Sequence, residues 1–302
     1  MPRPEFSRRP RSPDRRHIFR DINGRDFRDD GNTSGIDYVK RGKTVPEPAQ
    51  EDMHPGQYVL KEIYGLSNAP DEKSAHRHLV HIRSLSVHPD RRSEIISAGG
   101  VPVIITCLER FGPQSDTVAR QACAALQNLS LEKEGAATVS EHLGVPQIVR
   151  AMAVHSRNPG VQEMGCAALR NLTAGYVDNR AEVARVGGVR VVVCALREHT
   201  NIAKICDKGI AALGNLCLKN PENRRVIGKE GGVVAILNAM REHSRNEPVI
   251  EKGVRTLWDL AHNRQNVELM NAEEGITDFL LGLGVRFPNR CKKKAIQIYL
   301  RL

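Results

Sequence analysis

The sequence predicts an all-α protein built as a solenoid of stacked repeats and preceded by an extended, intrinsically disordered N-terminal arm. Two landmarks recur with one period along most of the 302 residues. The first is a leucine that closes an apolar segment, at Leu85, Leu129, Leu172, Leu216 and Leu260. The second is a glycine, at Gly100, Gly144, Gly188, Gly232 and Gly275. Both sets are spaced by 43 or 44 residues, which indicates stacked supersecondary units. Aromatic residues make up only 4% of the chain, which argues against a sandwich or barrel.

Each unit is predicted to contain three helices, as residues 174–217 illustrate. A short first helix through 181–187 ends at Gly187 and Gly188, because glycine adopts left-handed conformations without steric cost. A second helix covers about 189–199. After a polar turn, the third helix covers about 204–217 and closes the unit.

The third helices explain why the units must stack. In the third helix of 131–173, Cys166, Leu169 and Leu172 fall on one apolar stripe that a single unit cannot cover. One position in this helix is a recurrent glycine, at Gly165, Gly209 and Gly253. We expect a larger side chain there to block a neighbouring helix.

The periodicity divides the chain into an arm, a leading unit and five repeats. The arm, residues 1–53, is basic and rich in Arg, Pro and Asp. Residues 54–88 form an incomplete leading helical unit. The five repeats cover 89–302 and are bounded at about 89–130, 131–173, 174–217, 218–261 and 262–302.

The period of 42–44 residues, the glycine pair before the second helix and the ALxNL ending of the third helix resemble armadillo repeats. The resemblance covers 89–302. It implies a right-handed armadillo-type α-solenoid whose third helices line a concave groove. In that family the groove binds extended peptide segments or partner helices.

A ladder of polar residues marks the candidate binding groove. Its members hold equivalent positions opposite the leucine stripe, at Asn128, Asn171, Asn215 and Asp259. A carboxamide can donate to and accept from a peptide backbone. Resemblance to importin-α implies asparagines that hold an extended chain. The alternative is that each asparagine satisfies backbone groups of the solenoid itself.

Residues beside the ladder refine the expected partner. Arg170, Arg255 and Trp258 are candidate groove contacts, although Trp258 could instead pack against the last unit. Proteins resembling importin-α carry Trp four residues before the asparagine, where this chain has Ala124, Ala167 and Ala211. Capture of a basic nuclear-localisation peptide is therefore disfavoured. The mixed charges also lack the uniform basic lining of proteins resembling β-catenin.

No catalytic, cofactor-binding or metal-binding residues are predicted. The chain has no Walker sequence, GxSxG or HExxH motif. His155, His199 and His243 lie at the ends of the second helices, where a basic group interacts favourably with the helix dipole, and we interpret them as capping residues. The cluster of His76, His78 and His81 has spacings that do not converge on a metal, and we expect no carboxylate beside it.

Basic segments lie at both ends of a chain whose net charge is +10. The arm carries Arg8, Arg9, Arg11, Arg15 and Arg16, and the C-terminal cluster carries Lys292, Lys293 and Lys294. These clusters could contact an acidic surface or nucleic acid, or could simply be solvated.

Cysteine usage and hydropathy bear on the compartment. Seven cysteines without a CxxC pair favour a reducing compartment. The sequence contains no run of eighteen apolar residues, so it predicts no membrane span. We expect a cytoplasmic location, with the nucleus or a cytoskeletal or organellar assembly as alternatives.

The sequence therefore predicts a non-enzymatic scaffold that binds partner proteins through its concave groove and its basic arm, as a subunit of a larger assembly. Two alternatives stay open. One is a transport adaptor resembling importin-α, with the arm as its own import-receptor ligand. The other is a nucleic-acid-associated factor with basic termini.

Overall fold

The computed structural model describes residues 55–302, and this part of the chain is entirely helical between its turns. The arm predicted over 1–53 lies outside the described residues. The seventeen helices of the described part are α1 (Pro55–Ser67), α2 (Glu72–Leu85), α3 (Pro89–Ser97), α4 (Gly100–Phe111), α5 (Asp116–Leu129), α6 (Lys133–Glu141), α7 (Gly144–Val154), α8 (Pro159–Ala174), α9 (Val177–Arg185), α10 (Gly188–Glu198), α11 (Ala203–Cys217), α12 (Pro221–Lys229), α13 (Gly232–Glu242), α14 (Glu247–Leu260), α15 (Arg264–Asn271), α16 (Ile276–Arg286) and α17 (Lys292–Tyr299).

The helices repeat in a fixed order of length. After the leading pair α1 and α2, each unit has a first helix of 8–9 residues and a second of 11–12. The third helix has 14–16 residues, except for α17 with 8. Successive third helices pack on one another from α2 to α17. The prediction of an all-α solenoid is confirmed. We call the face formed by the exposed sides of α2, α5, α8, α11, α14 and α17 the groove.

Each second helix begins directly after a residue in the left-handed backbone region. The left-handed residues have φ between 59° and 83°, at Gly99, Leu143, Gly187, Gly231 and Gly275. In the first four units the residue that follows is glycine, because a side chain there would strike the first helix. At Gly188, for example, an added Cβ would lie 2.7 Å from the Val183 carbonyl oxygen.

The last unit corrects one detail of the sequence register. Gly275 is itself the left-handed residue, so it corresponds to Gly231 and not to the landmark Gly232. Buried Ile276 occupies the place of the second glycine. The final glycine spacing of 43 is therefore a misalignment by one residue and not a shorter repeat.

Packing of the units follows the predicted apolar stripes. Leu129, Leu172, Leu216 and Leu260 are fully buried, as predicted. The recurrent glycine of the third helix allows close approach of the second helix. A Cβ at Gly209 would lie 2.9 Å from Leu196 Cδ2, and Gly165 and Gly253 meet Met152 and Met240 in the same way. The steric reason expected for these glycines is confirmed.

None of the helices in residues 55–302 combines the length and hydropathy that crossing a bilayer requires.

Candidate functional site

The asparagine ladder joins neighbouring units along the groove. Asn171 Nδ2 donates to the Gln127 carbonyl oxygen at 2.8 Å, and Asn215 Nδ2 donates to the Arg170 carbonyl oxygen at 2.9 Å. Asn128 Nδ2 donates to Ser86 Oγ at 3.0 Å. Each amide nitrogen has two N–H groups. The second N–H of these amides makes no hydrogen bond within the described residues, so each amide is half committed to the solenoid.

The ladder is less open than the sequence indicated. Asn171 is only 9% exposed, and Asn128 and Asn215 are half-buried. The alanines four residues earlier, Ala124, Ala167 and Ala211, are all buried and form the floor of the groove between the asparagines. A small side chain at that position leaves room for a backbone to approach the ladder.

Asp259 replaces asparagine in the fourth unit and changes the electrostatics there. It is 6% exposed, and burial raises the pKa of its carboxyl above the ordinary value. Nearby cations oppose this shift without cancelling it, namely Arg255, Arg224, His262 and Lys294. Arg255 itself is exposed and forms neither an ion pair nor a hydrogen bond with the residues that the structure describes.

Trp258 lies beside Asp259 on α14. Its ring is half-buried against the core and meets the His262 ring edge-on, with centroids 4.8 Å apart. Lys294 Nζ lies 5.9 Å from the Trp258 ring centroid, within cation–π range. The C-terminal cluster is thereby split, because Lys292 and Lys293 are exposed while Lys294 turns toward the groove. The arm residues Arg8, Arg9, Arg11, Arg15 and Arg16 lie outside the described part of the chain.

Ion pairs between units neutralise three acids of the third helices α8, α11 and α14. Glu163 pairs with Lys208, and Asp207 pairs with Lys252. Arg290 Nη1 then lies 3.3 Å from Glu251 Oε2. Sequence reasoning missed these pairs, although a signal existed. An acid is followed by a lysine 45 residues later, twice in one register.

The third helices α2, α5 and α8 also carry arginines that form no ion pair within the described residues. Arg83 Nη1 donates to Gln121 Oε1 at 2.8 Å, and Arg170 donates to Asn171 Oδ1 from Nε and Nη2 at 3.2 and 3.0 Å. Both acceptors are neutral amides. Exposed Arg120 has no hydrogen bond or ion pair within residues 55–302. These three positive charges are therefore not neutralised.

A second ladder connects the ends of the second helices. His155, His199 and His243 each donate from Nε2 to a carbonyl oxygen of the preceding unit at 2.7 Å, on Gly112, Ser156 and Thr200. They are the C-cap residues of α7, α10 and α13, as predicted. Their side chains, however, bridge units and do not cap their own helices. We call this set the histidine ladder.

The histidine cluster of the leading pair has a carboxylate partner, contrary to the sequence expectation. Glu62 of α1 is 3% exposed, with its Oε2 2.7 Å from His78 Nδ1 and its Oε1 3.2 Å from His81 Nδ1. Burial acts to raise the pKa of Glu62, but the contacts with His78 and His81 outweigh it and lower that pKa. The pairing ties α1 to α2. No group of three potential ligands suited to a metal occurs among the described residues.

Comparisons with known proteins agree with this geometry. Residues 88–131 match the model of the Armadillo/beta-catenin-like repeat. A search of curated proteins finds no match. Among solved structures, a designed armadillo repeat protein superposes with a TM-score of 0.68 at 19% identity, over 81% of this chain and 99% of that chain.

Two further structures share the fold. A designed armadillo repeat protein in complex with the peptide (KR)4 gives a TM-score of 0.65 at 18% identity, over 80% of this chain and 98% of that chain. A structure concerned with the phosphorylation-controlled interaction between cadherin and beta-catenin gives a TM-score of 0.57 at 17% identity. The match covers 80% of this chain and 55% of that chain. At these identities the likeness shows the fold.

Proposed function

We propose that this chain, which has the armadillo-repeat fold and matches the model of that repeat over residues 88–131, is a non-enzymatic scaffold that holds an extended segment of a partner protein along its groove. One observation carries the proposal. Asn128, Asn171 and Asn215 stand in register on successive third helices, and each keeps an uncommitted N–H group. An extended chain offers backbone carbonyl oxygens that such donors can bind.

The dimensions of the groove set the length of the segment. Five stacked units offset by about 8–10 Å span about 40–50 Å. At about 3.3 Å per extended residue, that length accommodates about 12–15 residues of a partner. The buried alanines at the groove floor leave no aromatic array to sandwich lysine side chains. This supports a scaffold over an adaptor for basic peptides.

The side chains support a binding role over catalysis. Burial raises the pKa of Cys107, Cys123, Cys166 and Cys217 to about 12. A nucleophilic cysteine needs a thiolate near neutral pH, so these thiols are structural. The uncommitted N–H groups of Asn128, Asn171 and Asn215 lie in register on successive third helices, and a row of single donors suits a peptide better than it suits one reacting atom.

The basic arm is proposed as a second contact that strengthens the assembly. Its low apolar content cannot offset the entropy of ordering, so we expect it to order only on a partner. Exposed Lys292 and Lys293 offer similar charge at the other end of the chain. A chain that begins at His54 should keep its melting temperature and lose the salt-sensitive part of its binding. Loss of folding on truncation would instead make the arm a structural strap.

Substitution of the asparagine ladder tests the groove. Partners are first identified by pulldown from native cells and mass spectrometry. The triple variant Asn128→Ala, Asn171→Ala, Asn215→Ala should then lose partners while remaining folded. A matched control replaces three exposed asparagines away from the groove, Asn201, Asn238 and Asn289, by Ala. If the ladder variant retained every partner, the groove would not be the binding surface.

A further inference from the structure

The third helices carry a surplus of positive charge. The six helices that line the groove contain twelve basic and seven acidic side chains, whereas the rest of the chain contains 33 and 28. The third helices therefore carry a net charge of +5, which is half of the +10 of the whole chain. Its distribution along these helices decides what kind of segment the groove fits.

Three acids of the third helices α8, α11 and α14 are already paired, whereas Arg255 of α14 is not paired with any residue that the structure describes. Glu163, Asp207 and Glu251 are each matched by a cation of the following unit. A basic peptide would have to displace Lys208 or Lys252 to reach these acids, and would lose the existing pairs in doing so. These three acids are thus poor ligands for an incoming lysine or arginine.

Three arginines of the first three third helices remain without an ion pair in residues 55–302. Arg83, Arg120 and Arg170 lie on the consecutive third helices α2, α5 and α8. Two of them donate to neutral amide oxygens and the other has no acceptor within the described chain. A guanidinium has five N–H donors, so each retains donors that a carboxylate can accept in bidentate geometry.

We infer that the groove recognises an acidic segment, with the carboxylates of the partner seated over Arg83, Arg120 and Arg170. The inference rests on the proposed function and specifies the chemistry of the partner.

Three eight-residue peptides of opposite or no charge test the inference. The (KR)4 sequence occurs bound to a designed armadillo repeat protein. An acidic counterpart, (DE)4, and a neutral peptide, (QS)4, complete the set. Eight extended residues span about 26 Å, enough to cross three third helices. Fluorescence anisotropy with the full chain should show (DE)4 binding more tightly than (QS)4, with (KR)4 weakest. Raising the salt from low to physiological ionic strength should weaken (DE)4.

A pair of matched variants locates the binding. Replacing Arg83, Arg120 and Arg170 together by Gln should weaken (DE)4 at least about tenfold, because three charged contacts are lost. The control replaces Arg150, Arg190 and Arg245 by Gln. These arginines are exposed and lie off the third helices, and their replacement removes the same amount of positive charge. Its affinity for (DE)4 should change less than about twofold.

Each outcome decides the inference. Equal loss in both variants would mean that net charge or the arm holds the peptide, and would overturn it. Tighter binding of (KR)4 than (DE)4, or no binding of (DE)4, would also overturn it. If (KR)4 binds and the asparagine triple variant releases it, the groove still works as a peptide site and only the acidic preference is wrong. Melting curves of both variants show that folding is intact.

Discussion

The histidine ladder and the asparagine ladder are built from the same repeat and do different work. Each places one polar side chain per unit and bonds it to the preceding unit. On the second helices, the Nε2 donors of the histidines are spent on carbonyl oxygens inside the protein. On the third helices, the amides keep a second N–H, and arginines without an ion pair in the described chain lie on α2, α5 and α8. A repeated polar residue is therefore a binding candidate only when its donors exceed what the solenoid uses.

The strongest way to break both ladders at once is to disturb the stack between them. Leu172→Ala and Leu216→Ala should each lower the free energy of unfolding by about 2–5 kcal/mol, because both side chains are fully buried. Urea unfolding followed by circular dichroism measures the effect. Leu269→Ala, at a site 38% exposed, is the control and should cost far less. Wild-type stability in both core variants would mean that the repeat register is wrong.

Removing one rung of the histidine ladder should affect stability alone. His199→Ala leaves the Ser156 carbonyl oxygen without its donor at a site 7% exposed. We expect a loss of about 1–3 kcal/mol in unfolding free energy and unchanged peptide affinity. His142→Ala is the matched control, since exposed His142 bonds only within its own helix segment. Reduced affinity in a folded His199→Ala protein would contradict the division between the ladders.

Leu143 allows stability to be changed without touching either ladder. It is 63% exposed and holds φ 59°, where its sister residues are glycines. Leu143→Gly should raise the unfolding free energy by about 1 kcal/mol, because a left-handed conformation is costly for a side chain with a Cβ. Thermal melting provides the measurement, and Gly187→Ala should show the opposite sign. A lower melting temperature for Leu143→Gly would mean that the leucine side chain contributes packing that outweighs the strain.

Asp259 offers the finest adjustment, because it is the acidic member of the asparagine ladder. Its pKa is raised in the folded state, so the folded protein binds a proton at this carboxyl more tightly than the unfolded chain does. The ionised carboxylate therefore lowers the free energy of unfolding at neutral pH. Asp259→Asn should stabilise the protein at pH 7 by less than about 1 kcal/mol. The advantage should disappear as the pH falls through the raised folded pKa toward the unfolded value. Unfolding free energies at pH 7 and pH 3 test this, and a benefit that grew at low pH would reverse the assignment.

The sequence predicted the elements that depend on local spacing and could not predict those that depend on the angle between units. Leu172, Leu216 and the glycines of the third helices were found because burial follows the 3.6-residue period and the repeat. The bonds from Asn171 and His199 join residues 43 or 44 apart. Their formation depends on how one unit is set against the next.

Two features were misjudged for similar reasons. Glu62 contacts His78 from another helix, and nothing in the spacing of the histidines points to it. The charges of the groove looked mixed because acids and cations were counted separately, whereas Glu163 and Lys208 neutralise each other across a unit boundary. Sequence alone therefore predicted the candidate groove but not the charges that it leaves open.

Side-chain NMR of the full chain tests the central claim most directly. The protein is titrated with whichever of (DE)4, (KR)4 and (QS)4 binds most tightly, while the Asn amide, Arg Nε–H and His ring signals are followed. The account predicts shifts in Asn128, Asn171 and Asn215 and in the groove arginines, with the signals of His155, His199 and His243 unmoved. Shifts in the histidine ladder with a silent asparagine ladder would contradict it.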